Sequence, residues 1–598
     1  MQVYKAPLRD MRFALHELFA DDGYGNLAAF DEFTPDLLDA VLEEAAKMAQ
    51  DLLLPLNISG DVEGCQFDNG VVRTPAGFKH AYEQFCQGGW AALANDPQWG
   101  GQGLPETLNK LVEEMLCSAN LSFSAYPGLT HGATLALETH GSDELKAKYL
   151  PNLISGKWGG TMCLTEPHAG SDLGILRTQA KADSDGTYRV SGTKIFISAG
   201  DQDLTENIIH LVLARLPDAP PGVKGISMFL VPKYLVDEEN RIGARNGAFA
   251  MRLEHKMGMR GAATCEMRFD DARGWLVGEA HRGLFAMFTM MNQERLSVGI
   301  QGLGIIEAAY QSATAYAKER LQGRSLSGTP QPGQPAEPII VHPDVRRMLM
   351  TMRVYAEGCR ALGVWTARAL DASEHSTDPE VKERATDFMA LMTPIVKALF
   401  TDLGSEAASL AIQTYGGHGY IVDSGVEQFA RDVRITQIYE GTNGIQALDL
   451  VGRKLPANGG RNLRPLFHAI SCLLEDLSQE TEPQIGSMRD SLSEAFQALR
   501  TATDEVMRAG AQDPEEAAAA ASDYLRMAGL VALGFCFLKS AAIAHKRIAS
   551  GTDEADFYKA KIISARFFND RILPQVFANL RAIKGGKQST MALDAAAF

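Results

Sequence analysis

The sequence predicts a mainly α-helical protein with a central antiparallel β domain. Two kinds of periodicity carry this. Apolar residues recur at three- and four-residue spacing in residues 33–154 and again from 284 onward, whereas 159–278 is built of short alternating runs broken by Gly, Pro, Asp and Asn. Composition agrees: 598 residues with 45% apolar and 22% charged side chains suit a folded globular chain and fit disordered, collagen-like and coiled-coil classes badly. At roughly 150 residues per domain the length suggests about four parts. The changes of texture place them at 1–158, 159–280, 281–455 and 456–598.

The opening region reads as amphipathic helices, as in LLDAVLEEAAKMAQDLLL and TLNKLVEEMLCSA. In the β region the strand candidates are TYRVSGTKIFIS, NIIHLVLARL, GISMFLVP and ATCEMRFDD. Helical periodicity from 284 to 455 is interrupted by LSGTPQPGQPAEP, whose four prolines require a loop. The last part is again helical. One of its helices is expected to begin at a Ser491-Leu-Ser-Glu494 capping box and to place Leu492, Ala495, Phe496, Leu499, Ala502 and Val506 on one face.

A formal charge of −17 works against non-specific phosphate-backbone binding, and 456–598 is nearly neutral, with 16 basic and 17 acidic residues. No nucleic-acid partner is expected. The eight cysteines are scattered without a C-x-x-C pair or zinc spacing, so they read as reduced core residues, and no metal is expected. The start, MQVYKAPLRDMRFAL, lacks the pattern of an export signal, and the longest apolar run, 527–538, falls short of the ~20 residues that span a bilayer. Cytoplasmic location without a membrane span is the expectation.

There is no G-x-G-x-x-G after a strand, no G-x-x-x-x-G-K-[ST], no H-E-x-x-H and no G-x-S-x-G, which argues against Rossmann, P-loop, zincin and serine-hydrolase chemistry. Three glycine-bearing stretches remain. TEPHAGSD (165–172) has small, hydroxyl-bearing residues whose backbone amides could cradle an anion; an ordinary turn between strands explains it as well. QTYGGHGY (413–420) permits close approach of backbone to a flat or charged group, or simply ends a helix. QIYEGTNG (437–444) sets a carboxylate between an aromatic residue and a glycine turn, which is also how a surface glutamate looks.

Taken in order across a helix, β, helix architecture, MCLTEPHAGSD, GTKIFISAG, QTYGGHGY and QIYEGTNGIQALDL resemble the acyl-CoA dehydrogenase family over about 81–455. The resemblance implies that family's fold with an extra C-terminal helical domain. It also implies FAD-dependent α,β-dehydrogenation of a saturated acyl-CoA to the trans-2-enoyl-CoA, within fatty-acid β-oxidation. Met162, Leu164 and Thr165 would contact the isoalloxazine, and Gly170 and Ser171 would reach cofactor or CoA phosphates. Phe196, Ile197 and Ser198 would pack beside the reactive ring; relatives often carry tryptophan where Phe196 stands. Arg320 would meet the FAD of a neighbouring subunit and Gln413, Gly416 and Gly417 its adenosine half, implying a homodimer or higher homo-oligomer, while Thr442 and Gly444 complete the cofactor set.

Glu440 would be the base that takes the α-proton as the β-hydrogen leaves as hydride, its pKa raised by an apolar acyl pocket. A rival stands in MMNQERLSVGIQGLG, where Glu294 occupies the helix position that other branches use; Glu440 is preferred because its loop motif is intact. Ser171, Asn292, Arg295 and Gly441 would hold the CoA thioester. The insertion and the C-terminal extension resemble an enlarged bacterial branch that includes 3-methylmercaptopropionyl-CoA and long-chain acyl-CoA dehydrogenases. Electron-transfer flavoprotein is the implied acceptor. The alternatives are an acyl-CoA oxidase, against which the non-peroxisomal ending LDAAAF argues, and a non-catalytic DNA-associated member, against which the acidic charge argues.

Overall fold

The computed structural model describes residues 2–20, 27–328 and 335–598, with Asn292 described by its backbone alone. The elements that position the site are, in chain order, helices α1 (Glu106–Ala119), α2 (Leu121–His140) and α3 (Asp143–Ile154); strands β1 (Trp158–Cys163), β2 (Gln179–Ala182), β3 (Tyr188–Ser198), β4 (Asn207–Arg215), β5 (Ile226–Pro232), β6 (Ala248–Leu253) and β7 (Thr264–Val277); and helices α4 (Gly283–Glu319), α5 (Pro343–His375), α6 (Pro379–Tyr415), α7 (Asn443–Asp449), α8 (Pro483–Gln512), α9 (Pro514–Ala549) and α10 (Ala555–Arg571). They form two compact units, one of Ala45–Pro105 and Met115–Ser297, the other of Met1–Glu44, Glu106–Glu114 and Val298–Phe598.

The first of these holds the sheet, in the order β6-β7-β3-β2-β4-β1, with β5 pairing both β7 and β4 so that the strands close on themselves. Most pairs are antiparallel, as expected, but β1 runs parallel to β4, from Trp158↔Asn207 to Cys163↔Val212, and β2 meets β4 in parallel at Gln179↔Arg215. The sheet is therefore mixed. The cause is connectivity: β1 leads into a crossover that contains β2 and β3 before the chain returns at β4, and a crossover delivers a parallel partner where a hairpin would deliver an antiparallel one. Eight of the nine residues of β4, a nearly unbroken apolar run, are buried. One core packs Ile209, Leu211, Met228 and Leu230 with Leu137, Tyr149, Trp158 and Met287. A second gathers Cys163, Val190, Val212, Phe229 and Phe269. A short hairpin, Gln66–Asp68 with Val71–Arg73, interrupts the region expected to be all helix, turning through Asn69 and Gly70 at φ 52° and 81°.

The other unit is helical. Trp365 of α5 stacks on Phe19 at 5.7 Å between centroids and lies 4.5 and 4.7 Å from Phe388 and Phe535. The C-terminal helices close directly on α5 and α6: a Cβ added at Gly529 of α9 would lie 2.6 Å from Leu399, and one at Gly358 of α5 would lie 2.8 Å from Phe537. By length and composition α9 is apolar enough to cross a bilayer, although its unbroken apolar run is short, because alanines and glycines extend the stretch; 89% of its most apolar window is buried inside the protein. α8 begins at Pro483 rather than at the expected capping box. Proline fits the first helical turn, so Ser491 falls inside the helix and donates from Oγ to the Ser487 carbonyl at 3.0 Å. The expected stripe from Leu492 to Val506 is buried.

Beneath these helices lies a buried charge cluster. The Arg360 guanidinium donates to Glu114, to Glu307 at 2.6 Å and to Asp10, and the Lys561 ammonium donates to Asp10 and, at 3.1 Å, to Glu357. All eight cysteines are free thiols. Among the described residues no His, Cys, Asp and Glu group could hold a metal. The proline-rich stretch is closed at its base, where Gln322 N–H donates to the Glu337 carbonyl at 2.9 Å and Glu337 N–H to that of Gly323 at 3.0 Å; residues 329–334 lie outside the described residues.

Candidate active site

In the sheet-containing unit, β1 ends by placing Met162 half-buried and Leu164 buried, after which the chain turns through 165–172. Glu166 and Ala169 exchange backbone hydrogen bonds of 2.9 and 3.0 Å, which leaves Gly170 and Ser171 exposed at the turn, next to a half-buried Thr165. The Thr165 carbonyl accepts from Ile195 N–H at 2.9 Å, which joins the turn to the end of β3 and to Phe196, Ile197 and Ser198. Ile197 points into the core. Phe196 is 60% exposed and, like Ala199, sits at left-handed φ, 60° and 53° respectively. An exposed aromatic ring in a conformation that side-chain-bearing residues rarely adopt is a feature the surrounding structure has to enforce.

A buried polar network lies beneath the turn. The Lys194 ammonium, with no exposed surface, donates to the Leu164 carbonyl and to Glu166 Oε1, both at 2.9 Å. Glu166 also accepts from the Thr178 hydroxyl at 2.6 Å and from the backbone N–H groups of Arg177 and Thr178. Burial opposes the Glu166 charge, but the Lys194 ammonium and these donors outweigh it and hold the carboxyl down to about 2. Burial likewise lowers the Lys194 pKa, and Glu166 offsets part of that.

Glu294 and Arg295 lie about three turns into α4, both buried. Glu294 presses against α2, since a Cβ added at Gly132 would fall 2.5 Å from its Oε1 and 2.9 Å from Met290. The Arg295 guanidinium lies 5.8 Å from the Phe288 ring centroid. The side chain of Asn292 lies outside the described residues.

The helical unit holds the remaining candidates in two groups. At the ends of α4 and α6, Tyr316 stacks on Tyr415 at 4.1 Å, which brings Arg320 into the neighbourhood of Gln413, Gly416 and Gly417; all four are exposed. Added Cβ atoms at Gly416 and Gly417 would meet nothing within 4 Å, so this backbone is open to a ligand. The second group is the loop before α7. Glu440 is half-buried with φ 55°, followed by Gly441 at φ 87°. The Thr442 hydroxyl caps α7 by accepting from Ile445 N–H at 3.3 Å, Gly444 is exposed in the first turn, and the Tyr439 hydroxyl donates to Gln301.

Each unit by itself offers features that fit FAD: in one, an exposed planar wall beside an open hydroxyl-bearing turn suits a flat ring, and in the other, open glycine backbone with a nearby arginine suits an anionic group. The family models match in order. The acyl-CoA dehydrogenase N-terminal domain covers residues 38–157, the middle domain 161–272 and the C-terminal domain 281–455, and an acetyl-CoA dehydrogenase C-terminal-like model covers 467–594. The chain is 44% identical to a 3-methylmercaptopropionyl-CoA dehydrogenase of Ruegeria pomeroyi, over 96% of this chain and 97% of that one. The chain belongs to the acyl-CoA dehydrogenase family. A butyryl-CoA dehydrogenase of Syntrophomonas wolfei is 35% identical over 100% and 99% of the two chains. The structure of an acyl-CoA dehydrogenase complexed with FAD from Bacillus anthracis shares the fold, with a TM-score of 0.74 at 20% identity, covering 97% and 92%.

This acyl-CoA dehydrogenase is thus an oxidoreductase of acyl-CoA thioesters with FAD as cofactor. Sequence reasoning passed over two of its buried lysines. Lys194 underlies the turn, and Lys397, also without exposed surface, donates to the Gly441 carbonyl at 2.8 Å and to Asn443 Oδ1 at 2.9 Å. The available signal was a single cation within otherwise apolar stretches, KIFIS and PIVKALF.

Proposed function

We propose that this dehydrogenase converts a saturated acyl-CoA to the trans-2-enoyl-CoA, with Glu440 taking the α-proton. The observation that carries the reading is the conformation of the Glu440 loop. A non-glycine residue at left-handed φ costs about 1–2 kcal/mol, and such strain persists where the surroundings over-determine it, most often at functional sites. Here the Glu440 and Gly441 carbonyls are both held, by Gln446 Nε2 at 3.0 Å and by Lys397. A carboxylate fixed in this way suits proton abstraction, which demands geometry first. As the proton leaves, charge builds on the thioester oxygen, and the Glu440 N–H is the donor this chain offers it. Bound FAD supplies the acceptor for the β-hydrogen. Glu294, lodged against Gly132 and Met290, is assigned to packing and to support of the thioester end, together with Ser171, Asn292, Arg295 and Gly441.

Short acyl thioesters, among them the methylthio-propionyl and butyryl compounds for which two relatives are named, are the first candidates for substrate. The proposal includes a homodimer, with Arg320 and Gln413 to Gly417 reaching the FAD of the second copy, electron-transfer flavoprotein as acceptor, a role in β-oxidation, and a cytoplasmic location without a membrane span. The test is anaerobic flavin bleaching with acyl-CoAs from short to long on wild type, Glu440→Gln and Glu294→Gln. Loss of bleaching by about 100-fold or more in Glu440→Gln alone is the expected result; loss confined to Glu294→Gln transfers the role to that residue. Peroxide release in air during turnover would instead identify an oxidase.

A further inference from the structure

We propose that Lys397 is a positioning residue that aims the base, its buried ammonium fixing the peptide that follows Glu440; this rests on the reading of Glu440 as the base. Lys397 stands in the middle of α6 with no exposed surface. An ammonium is costly to bury unless its donors are satisfied, so a lysine here needs acceptors close by. The Gly441 carbonyl and Asn443 Oδ1 provide two.

Asn443 is itself fixed: its Nδ2 donates to Asp402 Oδ1 at 2.7 Å and to Thr401 Oγ1 at 2.9 Å, and Gln437 Nε2 donates to the same Asp402 oxygen at 2.6 Å. The loop is therefore pinned on both sides of its strained residues, by Gln437 and Asn443 on α6 and by Gln446 of α7 on the Glu440 carbonyl. Glu440 and Gly441 occupy consecutive left-handed positions, and only the second is glycine. Without the ammonium the Gly441 carbonyl keeps only the longer, 3.3 Å bond from Gln446 Nε2, and Glu440 gains freedom to return to an ordinary backbone conformation with its carboxylate displaced. Lysine suits the task because three donors on a four-carbon stem reach from a helix into a neighbouring loop.

The experiment uses the FAD-loaded enzyme and three variants, Lys397→Met, Lys397→Gln and Glu440→Gln, with rates normalised to bound flavin so that loss of fold or cofactor is not read as loss of chemistry. For Lys397→Met the turnover and bleaching rates are expected to fall by about 10- to 100-fold while KM changes less than about threefold, the signature of misplacement rather than weakened binding. Amide hydrogen exchange across residues 438–446 is expected to accelerate in the same variant. Lys397→Gln, which keeps a donor, is expected to recover part of the rate, and it is scored in place of Lys397→Met if the latter does not hold flavin. Wild-type rates per bound flavin in the lysine variants, or a raised KM at unchanged kcat, with Glu440→Gln inactive, would overturn the role of Lys397 alone. A Glu440→Gln enzyme that bleaches at the wild-type rate would overturn the reading of Glu440 and this proposal with it.

Discussion

Replacing Lys194 by methionine removes the buried ammonium beneath the 165–172 turn and leaves Glu166, only 3% exposed, with no ion-pair contact but the His168 ring at 3.6 Å. The Glu166 carboxyl, whose ordinary value is 4.5, is held down to about 2. That depression is equivalent to about 3 kcal/mol at neutral pH. It agrees with the about 3–5 kcal/mol lost when one member of a buried pair is deleted. Because the native pKa is depressed, this stability is present above pH 4.5 and is lost as pH falls through 2. The assay is urea denaturation followed by tryptophan fluorescence, which reports chiefly on the sheet-containing unit, since Trp90, Trp99, Trp158 and Trp275 belong to it and only Trp365 does not. Lys194→Met should lower the stability of that unit by about 3 kcal/mol at pH 7, with the difference from wild type narrowing below pH 4.5. It should also shed FAD, because the Leu164 carbonyl loses its donor. Adding Glu166→Gln should restore part of the loss, since no unpaired charge then remains. A deficit below about 1 kcal/mol at pH 7 would refute the reasoning.

Three further outcomes are expected. Glu114 is pushed up to about 7 by burial, which the Arg360 guanidinium only partly offsets; the stability it contributes is present below pH 4.5 and lost as pH rises through 7, so Glu114→Gln should flatten the pH dependence of helical-unit unfolding across that window in urea melts. Asp371 accepts from Glu106 N–H at 2.8 Å and from the Thr107 N–H and hydroxyl, so it caps α1 from another helix; Asp371→Ala should cost about 2 kcal/mol and speed hydrogen exchange at 106–109. Gly132→Ala forces a Cβ to within 2.5 Å of the Glu294 carboxylate, and a thermal melt should register an overpacking loss of about 1–3 kcal/mol.

The elements most legible in the sequence were those whose periodicity is enforced by burial. The run NIIHLVLARL became β4 and TYRVSGTKIFIS became β3 almost to the residue, because the alternating or continuous apolar pattern is itself the record of what each strand packs against. The Gln66–Asp68 hairpin was missed although Asn69 and Gly70 carry its turn signal, because three-residue arms are too short to display a period. The direction of β1 was not legible either, since parallel pairing is decided by a connection that spans more than forty residues. At Ser491 a local pattern misled: serine three residues before glutamate fits a helix start, but Pro483 had already begun the helix. Within the candidate site, Glu440, Thr442 and the 165–172 turn were visible as motifs. Their supports were not, because a lysine that reads as a surface residue in one dimension becomes a buried donor only once a distant carbonyl is folded over it, as happens at Lys194 and Lys397.

The bond from Lys561 to Asp10 ties the two ends of the chain together, across almost the whole polypeptide. During synthesis Asp10, in the short helix Leu8–Arg12, leaves the ribosome roughly half a minute to two minutes before Lys561 exists, at about 5–20 residues per second. For that interval Phe13, whose ring packs edge-on against Phe557 and Tyr558, has no lasting place to go, while the segments of the sheet-containing unit, complete by Ser297, can already condense. Nascent chains paused before the last forty residues should therefore carry an assembled β core and an unsatisfied N-terminal arm. Chaperone capture of this enzyme would fall on its beginning, and release would wait for its end.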